Sequence, residues 1–278
     1  MRDFSLSSPV SVSLATAMLL WSILTVAQIP NGATVRSSRL QRENIRVEKL
    51  TVDDGRPVAE AAAELEKRYG WVITYEDPIY VNDRQIADVT LQVRRDLDKY
   101  KPGEAPKVLV PKAGKLSISF NVQSDTGRPV NAAPAIVRQL LNSNDCAGYA
   151  GRFRLKMNGE IMHIIPTAYK SKSGALVRQQ AVFDSVITIP SQDRTVLQSL
   201  ELLCDAISRP TGVKVVLGTI PQNLFYHSRS RVGAKRETAR DFLVRLLGTA
   251  NTTVRLSWQL FYGPGMRFYA LNIHAVGN

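Results

Sequence analysis

The chain has 278 residues, 44% of them hydrophobic, which is apolar material for one large domain or two ordinary ones and excludes wholesale disorder. Its net charge of +12 suits an anionic partner (an envelope polymer, a membrane face or nucleic acid) and suits plain solubility equally well. Cys146 and Cys204 have no second cysteine or histidine at ligand spacing, which excludes a metal-binding cysteine set and leaves a disulfide or two free thiols.

Residues 10–27 form an apolar run flecked with Ser11, Ser13, Thr16, Ser22 and Thr25. Arg2 precedes it, and Thr25-Val26-Ala27 puts small residues at the first and third positions before a cut. Residues 1–27 therefore read as a signal peptide cleaved before Gln28, which makes the protein periplasmic; an uncleaved inner-membrane anchor is the alternative. Residues 28–44 are polar and read as a linker.

A first module is expected over 45–166. It starts with a strand at 45–52 and turns at Asp53-Asp54-Gly55-Arg56-Pro57. A helix follows, with Val58, Ala61, Ala62, Leu65 and Tyr69 at helical spacing; Gly70 ends it before a strand at 71–75. An insertion at 92–115 holds seven lysines and arginines against three acids, together with Pro102, Pro106 and Pro111. It reads as a basic loop, not a helix or central strand. Leu116, Ile118, Phe120 and Val122 then alternate with Ser117, Ser119 and Asn121 as a half-buried strand. Ile136, Val137, Leu140 and Leu141 mark a second helix, and Asn158-Gly159 turns a hairpin. Residues 167–182, which include Lys170-Ser171-Lys172-Ser173-Gly174, read as a linker.

The second module, 183–278, repeats this order. A strand at 187–192 leads into an amphipathic helix at 196–207, which the break Ser208-Arg209-Pro210-Thr211-Gly212 ends before a strand at 213–217. A strand over 226–232 is expected to set His227, Arg229 and Arg231 on one face, ahead of a helix at 239–247 and a hairpin turning at Gly263-Pro264-Gly265. Thr195 with Gln198, and Thr238 with Asp241, have capping-box spacing. Arg56-Pro57-Val58 falls on Arg194-Thr195-Val196, Leu65 on Leu203, Gly70 on Gly212, and Phe153-Arg154-Leu155 on Val254-Arg255-Leu256. So many elements in one order indicate an internal duplication.

No nucleophile elbow, HExxH, Walker loop or dinucleotide fingerprint is present. His163 and His274 occupy similar places on the last strand of each copy and read as strand-surface residues, not ligands. No catalytic, metal-binding or cofactor-binding residue is expected, and no cofactor. Trp258 alternates inward with Val254, Leu256 and Leu260; Phe261, Tyr262 and Tyr269 are the aromatic candidates for exposure. The candidate contact set is basic: Arg229, Arg231, Lys235, Arg236, Arg240 and Arg245, with both helical arginines expected to face solvent.

Ile187-Thr188-Ile189-Pro190-Ser191-Gln192, the helix with Val196, Leu197, Leu200 and Leu203, the stretch Thr211-Gly212-Val213-Lys214-Val215-Val216 and the helix within 238–249 together resemble the short N-terminal domain of secretins and TonB-dependent receptors, the STN domain. The first half resembles it more loosely. The resemblance implies an α+β fold of two STN-like modules, each with two helices packed on a small mixed sheet. It also implies a non-enzymatic periplasmic protein that contacts envelope proteins, as an accessory to an outer-membrane channel or receptor. No pore domain or array of barrel strands accompanies the modules, so recruitment by a partner is expected. The alternatives are a binding module for an anionic envelope polymer, using 92–115 and the basic set, and an enzyme of unrecognised kind. No nucleic acid is expected as a partner in the periplasm.

Overall fold

Leu50 and Val52 on one side of an extended segment, and Val47, Lys49 and Thr51 on the other, make the first strand, β1 (Ile45–Asp54). A computed structural model describes residues 45–101, 103–250 and 253–277. The expected signal peptide or anchor and the linker at 28–44 lie outside them. Among the described residues, no helix is long and apolar enough to cross a membrane.

Helix α1 (Pro57–Tyr69) has proline in its first turn and ends at Gly70, whose φ of 65° is left-handed. It buries Val58, Ala61, Ala62 and Leu65. Strand β2 (Ile73–Glu76) is buried along its whole length. The expected loop after it is partly built. β3 (Ile86–Asp88), the single turn α2 (Thr90–Val93) and β4 (Leu109–Pro111) follow, with β3 and β4 paired antiparallel. Pro111 is accommodated because it ends a two-stranded edge ribbon, not a central strand. The last residues of the expected insertion belong to β5 (Gly114–Gln123), whose Leu116, Ile118, Phe120 and Val122 are buried.

Helix α3 (Ala133–Ala147) and the hairpin of β6 (Arg152–Asn158) with β7 (Ile161–Lys170) follow. The stretch read as a linker continues β7 and then turns sharply into β8 (Leu176–Arg178). Ser171 N donates to Ala175 O, Gly174 N to Ser171 O, and Asn82 Nδ2 also to Ser171 O.

The second half begins with β9 (Val186–Thr195) and α4 (Val196–Thr211). The helix runs one turn past its expected end at Ile207, through most of the expected break to Gly212. Pro210 lies in that last turn, where Ser208 Oγ and Thr211 Oγ1 donate to the carbonyls of Cys204 and Ile207. β10 (Lys214–Leu217), α5 (Gln222–His227), β11 (Arg229–Thr238) and α6 (Ala239–Gly248) follow, then the hairpin of β12 (Leu256–Gly263) and β13 (Phe268–Ala275). His227 thus ends a short helix, and the basic strand starts later than expected.

The fold is α+β. β1 pairs antiparallel with β5, and β9 with β11, as two separate ribbons. Apart from the β3–β4 ribbon, the remaining strands form one sheet in the order β10-β13-β12-β2-β7-β6, with β8 beside β7. Within it β2 is parallel to β7, which is antiparallel to β6; likewise β10 is parallel to β13, which is antiparallel to β12. The halves meet where β2 lies parallel to β12, with Tyr75 opposite Gln259 and Glu76 opposite Leu260. Residues paired across parallel strands point to one face. Ile73 and Tyr75 therefore face α1 and α3, whereas Trp258, Leu260 and Tyr262 face the other way, onto α4 and α6. The two helix pairs cover opposite faces of one continuous sheet.

Candidate functional site

A strand with unpaired outer N–H and C=O groups is a template for another chain. In the first ribbon, the outward carbonyls of β5 are taken. Lys115 O accepts from Tyr149 OH (2.5 Å), Ser117 O from Ser143 Oγ (3.1 Å), Ser119 O from Gln139 Nε2 (2.9 Å) and Asn121 O from Val130 N (2.9 Å). These carbonyls point away from β1. Their register partners Asp53, Thr51, Lys49 and Val47 accordingly turn their own backbone groups outward on the opposite side. Among the described residues nothing bonds to that edge, and it displays Val47, 70% exposed, and Ile45, 47% exposed.

The basic set lies on and after the second ribbon, which is built differently. β11 carries two register shifts against β9, between Val232 and Ala234 and between Lys235 and Glu237. At the first, a Cβ on Gly233 would sit 2.6 Å from Ser191 N; at the second, Arg236 has a φ of 54°. Bulges and projecting charges protect a strand edge from further pairing. Arg229 donates to Asp193 Oδ2 at 2.9 Å, and Arg245 to Gly233 O at 2.7 Å and to Glu237. Arg231, Lys235 and Arg236 are exposed.

Arg240 does not join them. The expectation that it faces solvent is corrected: it is 0% exposed. Its Nη2 lies 2.8 Å from Glu76 Oε2, its Nε 3.1 Å from Asp184 Oδ1, and its guanidinium 5.4 Å from the centre of the Trp258 ring. The residue flanks the apolar stripe of α6, and the tertiary fold brings β2's carboxylate up to meet it.

Glu76 also accepts from the amides of Val182 and Phe183. Burial pushes its carboxyl up, against the pull of Arg240. The adjacent Asp77 accepts from Arg56 Nε (2.6 Å), Tyr75 OH (2.8 Å), Tyr80 OH (3.3 Å) and Tyr262 N (2.8 Å), and burial raises it against the pull of Arg56. Arg56 reaches Tyr262 O as well and lies over the Phe261 ring, 4.6 Å from its centre. Arg56, Glu76 and Asp77 were missed in the sequence, although two adjacent acids ending an apolar strand were a visible signal.

The histidines are not equivalent. His163 is the third residue of β7 and fully buried, contrary to the strand-surface reading, with Nδ1 2.7 Å from Thr74 Oγ1. Burial, with Arg240 and Lys156 adding, holds it at about 4. His274 is the seventh residue of β13, its Nε2 2.8 Å from Glu66 Oε2. Among the described residues no group of three or more His, Cys, Asp or Glu is placed to hold a metal ion. Tyr262 and Tyr269 are buried, and Phe261 is half-buried under Arg56. Both thiols are free: Cys146 is exposed, and burial pushes Cys204 up to about 12.

No family model, curated protein or solved structure matches the chain.

Proposed function

We propose that the chain is a non-enzymatic periplasmic protein that contacts other envelope proteins by accepting a strand along β1. The outer edge of β1 carries the reading: it runs along a ten-residue strand, nothing among the described residues bonds to it, the outward carbonyls of its partner strand are taken, and β11 of the second ribbon is bulged and charged. The apolar run at 10–27 supports export. The STN resemblance supports an outer-membrane channel or receptor component as the partner.

The test uses the full chain in cells that carry it, with a photo-cross-linker at Lys49, whose side chain is exposed. An adduct with an envelope protein is expected. Val47→Pro should abolish it, because the Val47 N–H points outward, so proline removes an edge donor and leaves the ladder to β5 intact. An adduct that survives Val47→Pro, in a variant that melts as the parent does, would defeat the edge reading. N-terminal sequencing of the same material should begin near Gln28; a cytoplasmic product starting at Met1 would defeat the compartment.

A further inference from the structure

The first half has an element without a counterpart in the second, the β3–β4 ribbon, and this ribbon walls a cavity of about 320 Å³. Tyr75 and Phe153 line it from the sheet, Tyr80 from the loop after β2, and Tyr149 from just past the end of α3. Arg84 comes from the turn before β3, Lys112 from just after β4, and Lys170 from the end of β7. No aspartate or glutamate lines it. Among the described residues, Arg84 and Lys112 make no ion pair, and Lys170 Nζ donates to Gly148 O. Asp77, beneath the tyrosines, is already held by Arg56 and by the hydroxyls of Tyr75 and Tyr80. Three cations with no carboxylate between them repel a cation and draw an anion.

The other walls indicate what the anion is attached to. The hydroxyl of Tyr149 is committed to Lys115 O, so the residue offers the cavity an apolar ring. That ring is seated against β5 because residue 114 is glycine; a Cβ there would collide with it. Gly55 likewise admits Pro111 O, to which its Cβ would lie 2.6 Å away, which lets the ribbon close over the start of α1. Among the described residues Gln85 Oε1 is a buried acceptor without a partner, and Gln85 stands in the same wall, so a hydroxyl or amide donor is suited there. Aromatic walls, one orphan acceptor and three cations suit a ring-sized, hydroxylated acid at the lower end of ordinary small-molecule pocket volumes, roughly 300 Å³.

We infer that this cavity is a binding site for a monosaccharide-sized organic anion, with its carboxylate or phosphate toward Arg84 and Lys112, a hydroxyl toward Gln85 and its ring against Tyr149. The site is independent of the β1 edge.

Calorimetric titration of the full chain at low salt tests it, with glucuronate and glucose 6-phosphate as probes and with glucose and inorganic phosphate as controls. At least one acid should bind at a single saturable site, about tenfold or more tighter than either control. Arg84→Gln with Lys112→Gln should weaken that binding about tenfold with an unchanged melting temperature, since both side chains are exposed. Gly114→Ala should weaken it by displacing Tyr149. Arg231→Gln with Lys235→Gln, on the distant ribbon, should leave it unchanged. Absence of saturable binding by either acid overturns the proposal, and so does equal weakening by the ribbon pair, which would mark a response to net charge. Glucose binding as tightly as the acids overturns the assignment of the cations. Phosphate doing so overturns that of the ring wall.

Discussion

Arg240→Leu leaves the Glu76 carboxylate fully buried without its guanidinium, and removes one of two partners of Asp184, which also meets Arg154 at 2.9 Å. Urea denaturation should show a loss of about 3–5 kcal/mol, most of it recovered when Glu76→Leu is added. Arg231→Gln, on the exposed face of β11, should change stability by less than about 0.5 kcal/mol. A comparable cost for both arginines would contradict the burial that separates them. His163 makes a pH prediction of definite sign. Its folded value of about 4 lies below the ordinary 6.5, so between these pH values the unfolded chain binds a proton that the folded chain does not. Its contribution to stability is present above 6.5 and falls as pH drops toward 4, by roughly 3 kcal/mol in all. The groups around it are Thr74, Arg240, Lys156, Asp241 and Asp184. Glu76 and Asp77, with raised values, act in the opposite direction over acid pH. His163→Gln isolates the histidine: its stability relative to the parent should rise as pH falls from 6.5 to 4, and a constant difference would count against the burial.

Among elements, the helices differ in how their first amides are held. α4 begins with a reciprocal box, Thr195 Oγ1 accepting from Gln198 N (3.1 Å) and Gln198 Oε1 from Thr195 N (3.0 Å). At α6, Thr238 Oγ1 accepts from Asp241 N (3.2 Å) but donates to Asp241 Oδ2, so the expected return bond to the cap amide is replaced by one between side chains. α1 and α3 start with proline in the first turn and no side-chain cap. Thr195→Ala should cost about 1 kcal/mol by thermal or urea unfolding. Gly233→Ala should cost more, about 1–3 kcal/mol, because its Cβ meets backbone of β9 and the ribbon must yield. A neutral Gly233→Ala would mean that the bulge is not held by close approach.

At the scale of the molecule, the two halves have one strand order yet share one sheet, and hydrogen bonds cross between them: Glu76 to Arg240, which is buried, and Arg56 to Tyr262 and Glu66 to His274, which are partly buried. Separating them would expose the edges of β2 and β12 and strand Glu76 without its cation. The described chain should therefore unfold in one transition, with the far-ultraviolet signal of the backbone and the near-ultraviolet signal of the buried aromatic residues coincident. Two resolved transitions would show halves that merely touch.

Sequence alone settled what depends on neighbours along the chain. The stripes of Val58, Ala62 and Leu65 and of Leu200 and Leu203, the alternation from Leu116 to Val122, the glycine stops and the Thr195 cap are all legible there, because helix period, strand period and cap chemistry act over a few residues. The order of elements in each half followed from these, and the α+β class from the resemblance that order carried. What only the tertiary structure decided depends on what lies opposite. An exposed and a buried arginine look alike in a sequence; Arg240 is buried because Glu76, 164 positions away, occupies the strand beneath it. Lys170–Gly174 has the composition of a linker but is a hairpin, because β8 finds an edge on β7. The union of the halves in one sheet, with helices on opposite faces, comes from the register of β2 on β12, a short pairing that no local signal specifies, since a sheet partner is chosen by the packing of both faces at once.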